Sequence, residues 1–236
     1  MKIRIKFAKR GNMKFIGHLD IMRYFQKAMR RAGVDIAYSE GFSPHQKMSF
    51  AAPLGVGILS EGEYLDIEAY SSKSSQEMID ALNAVMVEGM EVLSYKLLPE
   101  GSGKAMALVA AADYAMNFRE GYEPESFEEF ASAFLSFVSQ PEINVVKKTK
   151  KGERTLDLKP LIYEASIKDN TIFLSLCTGS TDNIKPELVM EAFYDSLGQV
   201  MPEFAFQITR LEVYVDTGSD GERKLVPLDG LGQDIE

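Results

Sequence analysis

The N-terminal stretch Lys2-Ile3-Arg4-Ile5-Lys6-Phe7 alternates basic with apolar side chains. Successive side chains of a β-strand point to opposite faces of its sheet, so this period of two predicts a half-buried strand over residues 2–9. After a turn at Gly11-Asn12 the apolar residues recur at helical spacing, which predicts a helix from Leu19 to Ala32 that ends at Gly33. A strand followed by an amphipathic helix opens an α+β fold.

The rest of the first hundred residues continues this pattern. Short extended runs at 35–39 and 46–52, an alternating run at 64–70, a helix at 74–87 and a strand at 91–98 follow in order. The series β-α-β-β-α-β, with one extra short strand, is typical of a ferredoxin-like sandwich.

Similar elements recur after the linker Gly101-Ser102-Gly103. The patterns predict strands at 112–119, 143–150, 154–167, 171–177 and 204–215, and helices at 126–138 and 186–197. We therefore predict an α+β chain of two ferredoxin-like (β-α-β-β-α-β) sandwiches in tandem, at 1–100 and 105–216. The Gly- and Asp-rich residues 217–236 are predicted to form a loosely ordered tail.

Cysteine and histidine are too few for a metal centre. The 236 residues include one Cys, Cys177, and two His, which excludes a structural zinc site or a Cys-ligated iron–sulfur cluster built from one copy. We predict no cofactor in this chain. Cys177 lies in an alternating apolar segment, which predicts a buried thiol that packs as a small hydrophobic side chain. A single cysteine, which can form no internal disulfide, agrees with a reducing compartment. No run approaches the roughly 20 apolar residues of a membrane helix, so we expect a cytoplasmic protein without membrane contact.

Positive charge is concentrated near the N-terminus. The net charge is −9, yet residues 1–50 hold 11 Lys and Arg against 3 Asp and Glu. On the predicted helix the basic residues gather opposite the apolar stripe, and further cations precede and follow it: Arg23, Lys27, Arg30 and Arg31, with Lys2, Arg4, Lys6, Arg10, Lys14 and Lys47 nearby. Such a face suits RNA phosphates, although a solvated helix face would show the same pattern.

The loop Gly41-Phe42-Ser43-Pro44-His45 is the second candidate feature. It combines a flexible glycine, an aromatic ring, a hydroxyl, a rigid proline and an imidazole, a mixture typical of sites and also compatible with an ordinary turn. His18 and Asp20 begin the predicted helix two residues apart, so they do not share a face and form no metal pair. His18 and His45 together would suit acid–base cleavage of RNA if the sheet brought them close.

Two further segments attract notice. The glycine-rich run 54–62 lacks the Lys-Ser/Thr ending of a phosphate-binding P-loop, so we expect no nucleotide cofactor. A second group of cations surrounds Gly152 and comprises Lys147, Lys148, Lys150, Lys151 and Arg154. This group would either extend an RNA-binding surface or keep an edge strand from aggregating.

Several motifs together resemble the radical SAM-linked protein family, bacterial domains found fused to or encoded beside radical SAM proteins. The matching residues are Arg4 and Phe7 in the opening strand, Lys14–Arg23, Arg30–Gly33, Ala37–His45 and Ser60–Ile67, with the later segment Leu156–Pro160. The chain departs from the family pattern at Gly17, where a serine is expected. The resemblance implies an accessory role in RNA or ribosome modification, with an iron–sulfur cluster and S-adenosylmethionine on the partner.

Three functions remain as hypotheses. The first is a non-catalytic RNA-binding or substrate-presenting subunit for ribosomal RNA or tRNA, using Arg10, Lys14, Arg23, Lys27, Arg30, Arg31 and Lys47 with the loop Gly41–His45 and Asp20. The second is a metal-independent ribonuclease with His18 and His45 as catalytic residues. The third is a protein-docking module that holds the radical SAM enzyme without touching RNA.

Overall fold

The computed structural model of the chain describes residues 1–149, 152–180, 182–219 and 221–236, without the side chains of 147–149 and 152–154. The strands are β1 Lys2–Lys9, β2 Met48–Ala51, β3 Leu59–Glu68, β4 Met90–Leu97, β5 Val109–Phe118, β6 Asn144–Thr149, β7 Gly152–Asp157, β8 Ile162–Lys168, β9 Thr171–Cys177, β10 Phe206–Asp216 and β11 Leu225–Pro227. The helices are α1 His18–Arg31, α2 Ser75–Asn83, α3 Ala105–Leu108, α4 Phe127–Val138 and α5 Pro186–Ser196. The predicted α+β class is confirmed.

The chain forms two compact units whose boundaries differ from the predicted ones. Unit 1 comprises Met1–Ala110 and Arg210–Glu236, and unit 2 comprises Ala111–Thr209. The structure therefore differs from the predicted division at residues 100–105 and from the predicted separate tail, because unit 1 is built from two separate segments of the chain. The predicted division assumed that each domain is one continuous segment, and hydrophobic periodicity carries no information on which segments associate.

In unit 1 the alternating N-terminal stretch forms a central strand. β1 pairs antiparallel with β3 on one side and with β4 on the other, and β2 pairs with β3. The apolar side chains Ile3, Ile5 and Phe7 are fully buried in a core that also contains Phe25 and Met29 of α1. The predicted extended run at 35–39 forms only two isolated bridges, which join Ile36 to Ala69 and Tyr38 to Gln46.

The basic residues of β1 are less exposed than their sequence pattern predicts. Arg4 is fully buried, and its Nε and Nη2 donate to the two carboxylate oxygens of Asp66 at 2.7 and 3.0 Å. Lys6 pairs with Glu212, and the ammonium group of Lys2 donates to the carbonyls of Ser102 and Gly103. These three cations hold unit 1 together and do not extend the basic helix face.

Residues 217–236 are not a loose tail within the described part of the chain. β11 pairs with β10, Leu228 is fully buried, and Leu97 of β4 exchanges two backbone hydrogen bonds with Gln233. At Gly232 an added Cβ would lie 2.7 Å from Cβ of Lys96, so the chain passes close against β4. The segment supplies hydrogen-bond partners to an edge strand, a need that its Gly- and Asp-rich composition does not reveal.

Unit 2 contains the antiparallel strands β5, β9 and β8, paired in the order β5-β9-β8, and β6 and β7 form a separate two-stranded hairpin. Helices α4 and α5 pack aromatic residues into its core, where the ring of Phe193 lies 5.3 Å from that of Phe134. Cys177 is a free, buried thiol. Among the helices in the described ranges, none has the length and apolar character needed to cross a membrane.

Candidate nucleic-acid interface

Helix α1 presents one apolar and one basic face. Its buried residues, Ile21, Phe25, Ala28 and Met29, recur every three or four positions and pack on the sheet of unit 1. The opposite positions are exposed and carry the four predicted cations Arg23, Lys27, Arg30 and Arg31. The last two lie in the final helical turn, where the negative end of the helix dipole stabilises positive charge.

Three of these four cations make no ion pair with a described residue. Arg23 lies 3.1 Å from the carboxylate of Asp20, one turn earlier on the same helix. Lys27, Arg30 and Arg31 have no carboxylate within ion-pair distance in the described ranges. These three residues are therefore the candidates for contact with an anionic ligand.

The second predicted feature, the loop after Tyr38, is joined to α1 by one buried side chain. Gln46 is only 5% exposed, and its Nε2 donates to the carbonyl of Gln26 in the middle of α1 at 3.2 Å. The same nitrogen lies 3.3 Å from the hydroxyl of Tyr38. These contacts place the loop beside the basic face of α1, a proximity that the sequence did not predict.

Within the loop, hydrogen bonds around Ser39 and His45 close the turn. The hydroxyl of Ser39 accepts from the backbone N–H of His45 at 3.0 Å and lies 2.8 Å from Nδ1 of its ring, while the Ser39 N–H donates to the His45 carbonyl. Gly41 adopts φ +107, a conformation that favours glycine. Phe42 at the tip is fully exposed, and Ser43 and Pro44 are exposed beside it.

The two histidines have separate surroundings. The ring of His18, the first residue of α1, packs edge-on against Phe50 at a centroid distance of 5.1 Å. The ring of His45 is engaged by Ser39 instead. The described contacts therefore do not join the two imidazoles into one acid–base pair.

Other predicted cations are partly neutralised. Arg10 pairs with Glu61 and Glu91, and the hydrogen bonds that its guanidinium donates to these two carboxylates raise the pKa of Arg10. Lys47 lies 2.8 Å from Glu68, and that hydrogen bond raises the pKa of Lys47. The ammonium group of Lys14 lies 5.3 Å from the ring centre of Phe15. The sequence does not reveal these pairings, because the carboxylates that engage Arg10 and Lys47 lie on the strands β3 and β4.

Tyr38 and Gln46 belong to this surface although the sequence did not single them out as site residues. Tyr38 is 42% exposed and adds a second accessible aromatic ring beside the loop, while Gln46 fixes the loop to the helix. The available signal was their position, since they flank the loop and form a bridge with each other. Of the second basic group, Lys150 and Lys151 lie outside the described residues.

The described residues contain no group of three or more His, Cys, Asp or Glu side chains that could hold a metal ion. The candidate site is therefore defined by its cations, aromatic rings and hydrogen-bonding loop.

The fold and this surface together define an α+β protein with a localised basic and aromatic patch. Residues 2–186 match the model of a protein family described as "Uncharacterized protein conserved in bacteria (DUF2344)", and the chain belongs to that family. No curated protein matches the chain.

Among solved structures, the chain is similar to one in the "Crystal Structure of a Cbf5-Nop10-Gar1 Complex", with 11% sequence identity and a TM-score of 0.45. The alignment covers 89% of this chain and 48% of that chain, so this chain spans about half the length of the other.

Proposed function

We propose that this protein is an accessory RNA-binding or substrate-presenting subunit that works with a radical SAM enzyme in RNA or ribosome modification. The observation that carries the RNA-binding part is a set of three exposed cations on α1, Lys27, Arg30 and Arg31, which form no ion pair with a described residue and lie beside an exposed aromatic loop. Ribosomal RNA and tRNA are the expected ligands.

The two parts of this surface suit the two parts of a nucleotide. Guanidinium and ammonium groups bind backbone phosphates and release counterions, which gives affinity without sequence preference. Exposed aromatic rings such as Phe42 and Tyr38 offer faces on which unpaired bases stack. The combination favours single-stranded or looped RNA over a regular duplex.

The radical SAM partner is inferred from the resemblance of the motifs between Arg4 and Ile67 to radical SAM-linked proteins. In this proposal the partner carries the iron–sulfur cluster and S-adenosylmethionine, while this chain holds the RNA. We also propose that both units are ferredoxin-like sandwiches. The strand order β4-β1-β3-β2 in unit 1 supports that interpretation, and the antiparallel order β5-β9-β8 in unit 2 agrees with it.

RNA binding is tested by measuring affinity as a function of salt. We expect the protein to bind tRNA and single-stranded fragments of ribosomal RNA with an affinity that falls steeply as salt rises. Replacing Lys27, Arg30 and Arg31 together by Gln should reduce the slope of log affinity against log salt by about 2, because each lost phosphate contact contributes about 0.7 for single strands.

A matched variant controls for net charge. Lys73, Lys104 and Lys168 are exposed and lie outside α1, so replacing these three by Gln removes the same charge elsewhere. This variant should keep the wild-type slope. Equal loss in both triple variants, or no salt-sensitive binding by the wild type, would rule out the proposed surface. If the RNA is recovered at full length after incubation with the wild-type protein, the protein binds RNA without cleaving it, and the ribonuclease hypothesis is excluded.

The partner is tested by purifying the tagged protein from cells with and without nuclease. A radical SAM protein identified by mass spectrometry in the purified complex is the expected result. If that complex survives nuclease and the chain forms no crosslinks to RNA, the protein-docking hypothesis replaces RNA presentation. If no radical SAM protein co-purifies under either condition, the proposed partnership is wrong.

A further inference from the structure

Unit 1 contains a second buried ionic cluster, formed by Lys9 of β1, Glu63 of β3 and Arg210 of β10. All three residues are at most 4% exposed. The Lys9 Nζ lies 3.4 Å from Glu63 Oε1, and Arg210 Nη2 lies 3.8 Å from Glu63 Oε2. Two cations therefore share one carboxylate, which leaves these three residues with one excess positive charge.

The guanidinium of Arg210 is incompletely hydrogen-bonded. Its Nη1 donates to the carbonyl of Ala52 at 2.6 Å, whereas among the described residues Nε and Nη2 have no hydrogen-bond acceptor and Glu63 Oε1 has no donor. A buried polar group without a partner costs about 1–3 kcal/mol, and more when it is charged. Such a group in a folded protein calls for an explanation.

Arg4 in the same unit provides a comparison, because each nitrogen of its guanidinium group has a hydrogen-bond acceptor. Its Nε and Nη2 donate to the two oxygens of the Asp66 carboxylate, and its Nη1 donates to the carbonyl of Leu228. Arg210 makes the equivalent Nη1 contact with a carbonyl, but no described residue offers its Nε and Nη2 a comparable pair of hydrogen-bonding oxygens. That edge of a guanidinium binds two oxygens of one carboxylate or phosphate group.

The backbone that contacts Arg210 is strained. Ala52 has φ +43, a left-handed conformation that is unfavourable for a residue with a Cβ, and Pro53 follows it. Such strain costs about 1–3 kcal/mol and clusters at ligand clamps and switches. The segment continues through Gly55, the exposed Val56 and Gly57, so its composition permits movement.

We propose that Arg210 and Lys9 form a binding site for a singly charged oxyanion group, a carboxylate or a phosphodiester, which is reached when segment 52–57 moves aside. The anion occupies the Nε–Nη2 edge of Arg210 and neutralises the excess charge that Glu63 leaves. This site is separate from the α1 surface, and it does not depend on the proposed RNA-binding function.

The experiment measures thermal unfolding of the whole chain against acetate and dimethyl phosphate, with sodium chloride keeping the ionic strength constant. We expect a saturable rise in Tm with at least one probe, since a ligand that binds only the folded state stabilises it. The probe with the stronger effect identifies the group as carboxylate or phosphodiester. The rise should be lost in Arg210→Met and retained in Arg223→Met, which removes an exposed arginine that belongs to neither proposed site.

The substitution Glu63→Gln tests the site by an expected gain in anion affinity, whereas Arg210→Met tests it by an expected loss. Removing the only carboxylate of the cluster should tighten anion binding at least about tenfold, because the probe then meets two uncompensated cations. A merely structural ion cluster would show no such gain. No rise with either probe, or an equal rise in the wild type and Arg210→Met, would overturn the proposal.

A measurement on the wild type covers the case in which Arg210→Met fails to fold. In protein labelled with ¹⁵N-arginine, a protected Nε–H signal should shift saturably as the effective probe is added at constant ionic strength. If every arginine Nε–H signal stays unchanged up to high probe concentration, the result would contradict the proposed site.

Discussion

At the scale of single residues, Phe42 is the most informative position on the candidate RNA surface. Its ring is fully exposed at the tip of a loop that the Ser39–His45 hydrogen bonds close and that Gln46 ties to α1. A large apolar side chain that contributes no burial to the fold is explained most simply by what it binds.

Replacing Phe42 by Ala should therefore weaken RNA binding without changing stability. Loss of one stacked base corresponds to about 1–3 kcal/mol, so affinity for single-stranded RNA should fall about fivefold to hundredfold at fixed salt. Fluorescence anisotropy and thermal unfolding measure the two quantities. The control Phe204→Ala removes an exposed ring from unit 2 and should leave affinity unchanged. Full affinity in Phe42→Ala would remove the loop from the interface.

Gly17 stands where the resemblance to radical SAM-linked proteins leads us to expect a serine. It is the N-cap of α1, with φ −72 and no side-chain capping bond, and an added Cβ would meet nothing within 4 Å. The serine expected here by resemblance is a preferred N-cap residue, because its hydroxyl accepts from a free N–H of the first turn.

The substitution Gly17→Ser should thus raise the free energy of unfolding by a few tenths of a kcal/mol, the usual difference between these two N-cap residues. Urea unfolding measures it, and Gly17→Ala is the control that adds a Cβ without a hydroxyl. Unchanged RNA affinity in Gly17→Ser would assign this position to helix stability alone. A serine variant no more stable than the alanine variant would contradict the capping interpretation.

At the scale of elements, the strongest periodic patterns were the easiest to predict. The alternation before Lys9 and the apolar stripe of α1 are each produced by one element burying one face, so both are visible in sequence. The helix starts at Ser74 and Ser126 could be predicted for the same reason. Each depends on residues close in sequence, because the serine hydroxyl accepts from a backbone N–H three residues later.

Features that depend on distant pairing could not be predicted. The sequence indicates a basic N-terminal region, but the partners of Arg10 lie 51 and 81 residues away. The hydrogen bond from Gln46 to Gln26 also joins two residues that only the fold brings together. The location of the candidate surface was therefore predictable, whereas the subset of cations free to bind a ligand was not.

Helix α5 supports a prediction about pH. Burial, and then the negative charges of Glu187 and Asp195 one turn away on either side, raise the pKa of Glu191. A carboxyl whose pKa is raised by folding destabilises the folded state when it is ionised, and this penalty disappears as pH falls below the unfolded pKa.

Replacing Glu191 by Gln should therefore stabilise the protein by about 0.5 kcal/mol at pH 7, since two like-charge i,i+4 contacts are removed. The gain should vanish below about pH 4, where carboxyl groups become protonated. Urea unfolding at pH 7 and pH 3.5 measures both values. Glu203→Gln, at an exposed position outside the helix, should show no gain at either pH. A gain that persists at pH 3.5 would contradict the charge-based account.

At the scale of the whole molecule, the segment after β10 is part of unit 1. Its Leu228 is fully buried, the Leu228 carbonyl accepts from Arg4, and Asp229 accepts from Ser94 at 2.8 Å. The Tyr64 hydroxyl also lies 3.1 Å from Asp229, and burial together with its neighbouring carboxylates raises the pKa of Tyr64, so this hydroxyl remains a donor.

Deleting residues 217–236 should lower the free energy of unfolding by at least about 3 kcal/mol. The deletion exposes the site that Leu228 fills and leaves a buried Arg4 donor without its acceptor. Chemical unfolding followed by circular dichroism measures the loss, and removal of Glu236 alone serves as the control. Wild-type stability after the full deletion would restore the interpretation of this segment as a loose tail.

The central claim, that RNA lies across the basic face of α1 and the adjacent loop, is tested most directly by crosslinking. Protein irradiated with ultraviolet light in complex with RNA is digested with trypsin, and crosslinked peptides are identified by mass spectrometry. We predict crosslinks in the peptide of residues 32–47, which carries Tyr38, Phe42 and His45. Crosslinks confined to other parts of the chain would contradict the claim.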